Sequence, residues 1–451
     1  MLLNIFLKSS KKLVYTWFRI ICRTSRIFKF PTYNYYYTFI LDTQKIFKQQ
    51  SQMFKLKGKV QHYAWGGYTF LPQLLGVENS EYKPFAEYWM GAHTSSPSLV
   101  EWDKDHSTPL NKLIDEDKTK WLGDTVAKTF GGLPYLFKVL DVKDMLSIQV
   151  HPTKEEAGKG YARENEAGIP VTASHRNYKD DNHKPEVMVA LSEFWLLHGF
   201  KEKNALRQTL NEVPEFNALL PVFDKEGYFG LYKYVMELPQ SEVDNMLAPL
   251  LKRSEAAYKT NQLSKAEPAY WACKTLPDSD DRYTNMDRGI FSIYFFNILQ
   301  LHPGQAIFQG AGVPHAYLEG QNIELMSNSD NVLRGGLTPK HIDVPELLKH
   351  TLFEGVVANI MDGEKRGAET VYYCPVPDFI VSKIELAKEE KYNHTTYSIE
   401  IILVTEGEAI VTSSNQTLHV KQGEAAIAGA AEAYSITTDT ITVLYKAGVP
   451  Q

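Results

Sequence analysis

The sequence is poor in cysteine and has neither a long apolar run nor, after its first segment, a basic stripe. Its three cysteines, Cys22, Cys273 and Cys374, lie far apart and form no CxxC pair. This excludes a disulfide framework and predicts a reducing compartment, so we expect a cytoplasmic protein. No stretch approaches the ~20 apolar residues of a membrane span. The net charge of -6 argues against a nucleic-acid surface, so we expect neither a membrane nor a nucleic acid as a partner.

The first 52 residues differ in composition from the rest. They contain nine Lys or Arg residues and a single acidic one, Asp42, together with the aromatic run PTYNYYYTF. A basic, acid-poor segment is typical of a transit peptide, although this one is unusually aromatic. The stretch MFKLKGKVQHYAWGG, from Met53, already resembles the start of a protein. We therefore expect residues 1–52 to be a basic extension that is disordered or non-native.

The remaining chain alternates between strand-rich and helical regions. LPYLFKVLDVKDMLSIQVHP reads as two strands around the polar turn DVKD. Helical spacing occurs in EKNALRQTLNEV, SEVDNMLAPLLKRSEAAYKT and EPAYWACKTL. Strands are predicted again in GIFSIYFFNILQL and QAIFQ, and a helix in VPELLKHTLFEGV. We expect a discontinuous first domain, a helical insertion and a C-terminal domain, over residues 53–200 with 287–360, 201–286 and 361–451.

One segment of the first domain is similar in sequence to a segment of the last domain. PGQAIFQGAGVPHAY aligns with QGEAAIAGAAEAY if the second copy is two residues shorter. In this alignment Gly304 corresponds to Gly423, and His315 corresponds to Glu432. We interpret the two segments as copies of one β-unit, of which only the first has the histidine.

The first copy also resembles the second cupin motif, PG-x5-P-x-G-x2-H. It has Pro303, Gly304, Gly310 in place of the second proline, Gly312 and His315 at that spacing. Glycines permit tight bends, so the histidine can point into a barrel. Repeated short strands with glycine-marked turns are typical of jelly rolls and small barrels. We predict a mainly β protein, with two cupin or jelly-roll β-barrel domains and an inserted α-helical domain.

Two earlier segments offer partners for His315. In MLSIQVHP, the two-residue period of a strand places Ser147, Gln149 and His151 on one face, opposite apolar residues. That polar face either lines a barrel interior or faces solvent. In NHKPE, the proline prevents a helix and an apolar strand follows directly. This charged cluster belongs either to the same site or to a solvated loop.

Seven motifs, in this order, resemble those of the type I mannose-6-phosphate isomerases. They are YAWGG, AEYWMGAH, LPYLFKVL, LSIQVHP, NHKPE, AGVPHAYLEG and SDNVLRGGLTPK. The resemblance runs from about Val60 to the C-terminus and is least diagnostic in the helical region. It implies a metal-dependent aldose–ketose isomerase of the cupin superfamily, which interconverts mannose 6-phosphate and fructose 6-phosphate through an enediol.

The resemblance also implies one Zn2+ per chain, held by Gln149, His151, Glu186 and His315. Two imidazoles, one amide oxygen and one carboxylate suit a borderline divalent ion without a thiolate. A single carboxylate leaves net positive charge in the site, which keeps the ion a Lewis acid toward a sugar oxygen. Mn, Fe or Co could occupy the same ligands.

A sugar phosphate requires cations, and its isomerisation requires a base. The resemblance implies substrate-binding roles for Lys138, Ser147, Arg334 and Lys340. Arg334 offers a forked donor and Lys340 a point charge. Arg334 and Lys184 are candidates for stabilising the negative charge that develops on the sugar oxygens. The proton-transferring base stays open among His183, Lys184, Glu324 and Asp330.

Two other functions are compatible with the sequence. A cupin could bind a sugar or sugar phosphate without converting it, and another isomerase could act on free mannose or a different phosphosugar. A complete ligand set beside cations and candidate bases favours the enzyme, and the cations favour a phosphorylated substrate. The second β-region retains only His394 and His419, so we expect it to be metal-free. The oligomeric state stays open, and a monomer is compatible with the sequence.

Overall fold

The computed structural model describes residues 52–451. The predicted basic extension over residues 1–52 lies outside this range, apart from Gln52. None of the helices described is long and apolar enough to cross a membrane.

The described chain contains 23 strands, which together hold only slightly more residues than its ten α-helices. In chain order they are β1 (Met53–Lys57), β2 (Lys59–Gln61), β3 (Glu87–Gly91), β4 (Leu99–Glu101), β5 (Ser107–Pro109), β6 (Tyr135–Val142), β7 (Gln149–Val150), β8 (Glu186–Ala190), β9 (Phe194–Phe200), β10 (Phe296–Leu301), β11 (Ala306–Gln309), β12 (His315–Ser327), β13 (Leu333–Arg334), β14 (Glu364–Arg366), β15 (Glu369–Tyr372), β16 (Ile380–Leu386), β17 (Lys391–Thr395), β18 (Glu400–Glu406), β19 (Glu408–Ser413), β20 (Thr417–Lys421), β21 (Ala425–Ala428), β22 (Ala433–Thr437) and β23 (Thr442–Gly448).

The helices lie mainly between β9 and β10. They are α1 (Phe70–Leu74), α2 (Leu110–Glu116), α3 (Lys118–Phe130), α4 (Lys154–Glu166), α5 (Lys203–Glu212), α6 (Leu220–Glu237), α7 (Gln240–Lys259), α8 (Pro268–Lys274), α9 (Gly289–Phe295) and α10 (Val344–His350), with a 3-10 turn at Pro214–Leu219.

Within residues 52–451 the strands form three antiparallel sheets. The sheet that carries the candidate site has the order β10-β9-β12-β6-β3-β2, and β12 also pairs with β8 and β7, which in turn pair with β11 and β13. The second sheet runs β14-β15-β16-β23-β18-β21-β1-β4-β5, and the third runs β17-β22-β19-β20. Strand β1 therefore lies among strands from the C-terminal region.

The helices predicted between β9 and β10 are confirmed as α5, α7 and α8. Helix α6 was missed, because its sequence, LPVFDKEGYFGLYKYVME, is rich in aromatic residues and contains two glycines. One of these, Gly227, has a left-handed φ of 66° and breaks the helix into two pieces. The buried side chains of these helices form one apolar cluster with residues from β7, β9 and β13.

The strand predicted over GIFSIYFFNILQL is wrong in its first half. Residues 289–295 form helix α9, and only Phe296–Leu301 form a strand, β10. Every residue of α9 is buried. A short segment buried on all sides has no amphipathic period, so its sequence cannot distinguish a helix from a strand.

The two strands predicted around DVKD are present as β6 and β7, but they do not pair with each other. Strand β6 pairs with β3 and β12, and the second strand, β7, has only two residues. The intervening backbone bonds elsewhere: the amides of Lys143 and Asp144 donate to the carbonyl of Trp65, and that of Leu146 donates to the carbonyl of Tyr317. The segment between the two strands is therefore held by long-range partners and does not form a hairpin turn.

The two echoed segments have the same local backbone plan. Gly304 and Gly423 have left-handed φ values of 89° and 80°, each before a four-residue strand, β11 or β21. His315 begins β12, and Glu432 immediately precedes β22. In the second copy, Glu432 accepts a hydrogen bond from the backbone amide of Gln52. This carboxylate therefore holds main chain at the position where the first copy has its histidine.

The apolar core orients the predicted polar face. Ile148 and Val150 are fully buried in the cluster that contains the helices. Because successive side chains of an extended segment alternate in direction, Gln149 and His151 point the opposite way. His151 is itself fully buried, so the solvent-facing alternative is excluded for it.

Candidate active site

Strands β7, β12 and β13 bring the polar side chains together from distant parts of the chain. Gln149 of β7 lies opposite His315 of β12 on one side and Arg334 of β13 on the other. Strand β8 begins at Glu186, directly after the charged segment NHKP, and pairs with the far end of β12. The order of the strands therefore brings side chains from four separate sequence motifs into one cluster.

His151, Glu186 and His315 form a buried cage. One potential ligand atom from each residue lies within 4.8 Å of those of the other two. The Nε2 atom of His151 lies 3.4 Å from Glu186 Oε1, and the Nε2 atom of His315 lies 3.4 Å from Glu186 Oε2. Lys184 Nζ lies 2.8 Å from Glu186 Oε1. A carboxylate thus lies between two imidazoles, with an ammonium beside it.

Backbone carbonyls hold both imidazole rings in the same tautomer. His151 Nδ1 donates to the carbonyl of Asn331 at 3.0 Å, and His315 Nδ1 donates to the carbonyl of Val313 at 2.9 Å. Since a carbonyl only accepts, each Nδ1 carries the proton and each Nε2 presents a lone pair. Metal-binding histidines have this arrangement, with the second nitrogen bonded to an outer partner.

The residues present fit a divalent metal ion. Three buried atoms in the cluster have no hydrogen-bond partner among the described residues: Gln149 Oε1, His151 Nε2 and His315 Nε2. Buried polar atoms without partners are costly, and here all three are lone-pair donors. A Zn2+ ion takes nitrogen and oxygen ligands of these types.

Electrostatics keeps the cage in its metal-binding protonation state. Burial, followed by the positive charge of Lys184, lowers the pKa of His151 to about 4. Burial opposes ionisation of Glu186, but the neighbouring charge of Lys184 outweighs it and holds the pKa of this carboxyl well below its usual range. At neutral pH the cage therefore offers a neutral imidazole and a carboxylate.

A cavity of about 550 Å³ adjoins the cage, a volume typical of small-ligand sites. Its aromatic wall contains Tyr63, Trp65 and Trp89. Seven predicted site residues line it: Lys138, Ser147, Gln149, Lys184, Asp330, Arg334 and Lys340. The structure therefore places the predicted cations around one space next to the predicted metal ligands.

Lys138 is fixed between two buried carboxylates. Its Nζ lies 3.0 Å from Glu324 Oε2 and 3.2 Å from Glu87 Oε2, and Glu87 also accepts a hydrogen bond from the Trp89 indole. Burial disfavours the Lys138 ammonium, but Glu324 and Glu87 outweigh it and raise its pKa. Burial also raises the pKa of Glu324. The sequence analysis gave Glu87 no role in the site. Its signal was that it is the single carboxylate of the segment EYWMG, which forms a fully buried strand.

Arg334 and Lys340 are free to bind an anion. Among residues 52–451, neither side chain has an ion pair or a hydrogen bond to another side chain. Burial lowers the pKa of Arg334, and burial together with Arg334 lowers that of Lys340. Two neighbouring cations without counter-charges leave a site that a phosphate group would stabilise.

Two predicted bases have partners that sequence reasoning missed. Asp330 lines the cavity, and its Oδ2 lies 3.2 Å from His93 Nε2; this contact lowers the pKa of Asp330. His183 is not among the residues that line the cavity, and its Nε2 lies 2.9 Å from Asp378, which is 1% exposed. The structure thus brings Asp330 to the candidate site and turns His183 toward the C-terminal region.

Known proteins match this chain over most of its length. Residues 53–203 match the model of the phosphomannose isomerase type I catalytic domain. The mannose-6-phosphate isomerase of Escherichia coli (strain K12) is 41% identical over 386 residues, which cover 84% of this chain and 95% of that protein. The chain belongs to the type I phosphomannose isomerases.

This phosphomannose isomerase family has mammalian members and solved structures that also match. The mannose-6-phosphate isomerase of Rattus norvegicus is 34% identical over 438 residues, covering 89% of this chain and 96% of that protein. A crystal structure of the Salmonella typhimurium enzyme bound to fructose 6-phosphate (f6p) and zinc has a TM-score of 0.78 and 37% identity. It covers 89% of this chain and all of that chain.

Proposed function

We propose that this chain is a zinc-dependent isomerase that interconverts D-mannose 6-phosphate and D-fructose 6-phosphate through an enediol. The observation that carries the proposal is the buried cage of His151, Glu186 and His315 beside a cavity with two unpaired cations. The proteins named mannose-6-phosphate isomerase, matched over more than four-fifths of the chain, support the same reaction.

Gln149, His151, Glu186 and His315 would hold the metal. The partnerless Oε1 atom of Gln149, and its position opposite His315, support it as the fourth ligand. When bound, the ion supplies a Lewis acid for the sugar oxygens on which negative charge develops. Lys184, beside Glu186, adds a positive charge on the same side of the cavity.

Arg334 and Lys340 would bind the phosphate group. Both line the cavity and lack counter-charges, and the guanidinium can bind two phosphate oxygens in parallel. Ser147 lines the same space and can donate its hydroxyl. Binding the phosphate at one end of the cavity orients the sugar, so that its reacting carbons lie away from the two cations. Binding energy is thus used to position the reacting atoms.

Among the four candidate bases, Glu324 is favoured by its pKa. A base that works near neutral pH needs a pKa close to the working pH, and burial raises the pKa of Glu324 in that direction. Lys138 lines the cavity and lies 3.0 Å from Glu324, and because its pKa is raised it stays protonated and supplies positive charge beside this carboxyl. Asp330 and Lys184 remain candidates because they line the cavity, whereas the contact of His183 with Asp378 favours a structural role.

The domain organisation is part of the proposal. We assign the first cupin barrel to residues 53–200 and 287–360, the helical insertion to 201–286, and a second cupin-like domain to 361–451. The helices between β9 and β10 and the echoed strand plan of β11 and β21 support this division. Within the described residues, the one group of His and acidic side chains that could hold a metal lies in the range assigned to the first barrel, and a metal-free second domain stays a prediction.

We also propose a cytoplasmic location. Cys273 and Cys374 are both free thiols in the fold. Cysteines that stay unpaired are typical of a reducing compartment. Fractionation of cells that express the native chain tests this assignment, and recovery in an oxidising compartment would contradict it.

The decisive experiment measures conversion of mannose 6-phosphate to fructose 6-phosphate before chelation, after it and after zinc is restored. Activity should disappear with the metal and return with zinc. His315→Ala should lose both zinc and turnover. His419→Ala is the matched control, since His419 is exposed on β20, and it should keep both. Turnover that survives complete metal removal would refute the proposal, and a folded, zinc-loaded but inactive protein would indicate a sugar-phosphate-binding protein instead.

A further inference from the structure

The loop that follows Arg334 borders two cavities. Leu337, Thr338 and Pro339 line the cavity next to the cage and also a second cavity of about 600 Å³. Lys340 follows directly and lines the first cavity. A segment that borders two open spaces needs a specific attachment if it is to hold a charged side chain in place.

The attachment is the carboxylate of Asp287. Its Oδ1 accepts hydrogen bonds from the backbone amides of Leu337 and Gly289, both at 2.7 Å, and its Oδ2 accepts one from the amide of Thr338 at 2.9 Å. The hydroxyl of Thr338 then accepts a hydrogen bond from the amide of Lys340 at 3.1 Å. Hydrogen bonds to an ionised acceptor are stronger than those between neutral groups. A continuous chain of contacts therefore joins Asp287 to the backbone of Lys340.

The backbone geometry at this point depends on the same contact. Leu337 has a left-handed φ of 55°, which is unfavourable for a residue with a side chain. Gly336 has a φ of 127°, and a Cβ atom there would overlap Gly289. The loop is thus held in a strained path against the start of α9, where only glycine fits on both sides.

We propose that Asp287 is a positioning residue for the sugar phosphate, because it fixes the loop that presents Lys340 to the phosphate. The inference rests on the proposed function. Asp287 is not among the residues that line the cavity next to the cage, and it acts through the backbone of Leu337 and Thr338. Arg334 is held separately, by pairing of β13 with β7, so the effect of Asp287 is specific to the Lys340 side of the phosphate site.

The test uses Asp287→Asn in the full-length, zinc-loaded protein, with inorganic phosphate as the probe. Replacing the carboxylate removes the charge and places an NH2 group toward one backbone amide. The KM for mannose 6-phosphate and the inhibition constant of phosphate should both rise about tenfold, the scale of loss from a small displacement, while kcat changes less. Zinc content should be unchanged. Asp278→Asn, an exposed aspartate of the same segment, is the control and should match the unaltered protein.

A double-mutant cycle with Lys340→Met separates positioning from a general loss of structure. If Asp287 acts through Lys340, Asp287→Asn should weaken phosphate binding by less than about twofold when Lys340 is already absent. An equal loss in both backgrounds, or an unchanged phosphate inhibition constant in the single variant, would overturn the inference. If Asp287→Asn does not fold, Gly336→Ala displaces the same loop while the carboxylate stays, and it must give the same pattern.

The two proposals fail in different ways. Absence of turnover by the unaltered chain would refute the proposed function, and phosphate binding would then be measured by calorimetry. Turnover by the unaltered chain, with phosphate affinity insensitive to Asp287, would refute only the positioning role.

Discussion

Replacing Lys138 by methionine should destabilise the protein as well as impair substrate binding. Lys138 is 6% exposed, and its removal leaves Glu324 and Glu87 buried without their shared counter-charge. Breaking a buried ion pair in this way costs about 3–5 kcal/mol. With an unfolding entropy of about 2.1 cal/mol/K per residue, a chain of this size should lose about 4–6 °C in Tm. Thermal unfolding of the zinc-loaded variant measures this fall directly.

The loss should depend on pH in a defined direction. Without Lys138, the pKa of Glu324, which burial already raises, should rise further. A carboxyl whose folded-state pKa is above its unfolded value is destabilising above that pKa, and the penalty disappears as the pH falls through it. The Tm difference from the unaltered protein should therefore be largest near pH 8 and smaller near pH 5.

A second lysine of the same cavity is the matched control. Lys340 is exposed and lacks an ion pair within the described residues, so Lys340→Met should change Tm by about 1 °C or less while raising KM. Equal Tm values for the two variants would show that the buried cluster around Lys138 does not stabilise the fold. A Tm difference that stays constant from pH 5 to pH 8 would refute the role given to Glu324.

Three further predictions concern the cage, the phosphate site and a lysine outside both. Glu186→Gln removes the charged member of the cage and should weaken zinc binding by about 100-fold or more, as measured by competition with a chelator. Arg334→Lys keeps the positive charge but loses the paired N–H donors of the guanidinium, so the KM for mannose 6-phosphate should rise about tenfold. The exposed control Arg207→Lys should leave this KM unchanged. Burial lowers the pKa of Lys201 to about 8, so the folded state loses this proton before the unfolded state does, and stability should rise as the pH increases from about 8 to about 10.4. Lys201→Met should raise Tm at pH 7 and lose this advantage at pH 10; an unchanged Tm at pH 7 would contradict the burial.

The residues of the cage could be singled out from the sequence because their signals are local. Gln149 and His151 alternate with apolar residues, and Glu186 starts an apolar strand behind a proline. His315 follows glycines at a motif spacing. Each of these patterns can be recognised in the sequence without knowing the sheet order. The resemblance to a known family then indicated that the residues belong to one site.

Contacts that depend on the sheet order could not be predicted. The triad of Lys138, Glu87 and Glu324 exists because β6 lies between β3 and β12, and no spacing along the chain encodes that arrangement. The same limit applies to His183, whose motif placed it beside the site while the fold turns it toward Asp378. Helix α9 was missed for a different reason, since its sequence is apolar on every side.

The carbonyl groups that orient the two imidazoles belong to the main chain, and this determines which changes the site can tolerate. Substituting Val313 alters a side chain but leaves its peptide oxygen in place, so a library at this position should retain a correctly rotated His315 ring. Asn331 differs, because its buried side-chain amide bonds to the backbone of Lys179 and Asn182 and so helps to hold the carbonyl that orients His151. Deleting one residue from either bend would shift the oxygen itself. For an engineer, the length of both bends is the fixed parameter, and the residue type is adjustable at Val313 but not at Asn331.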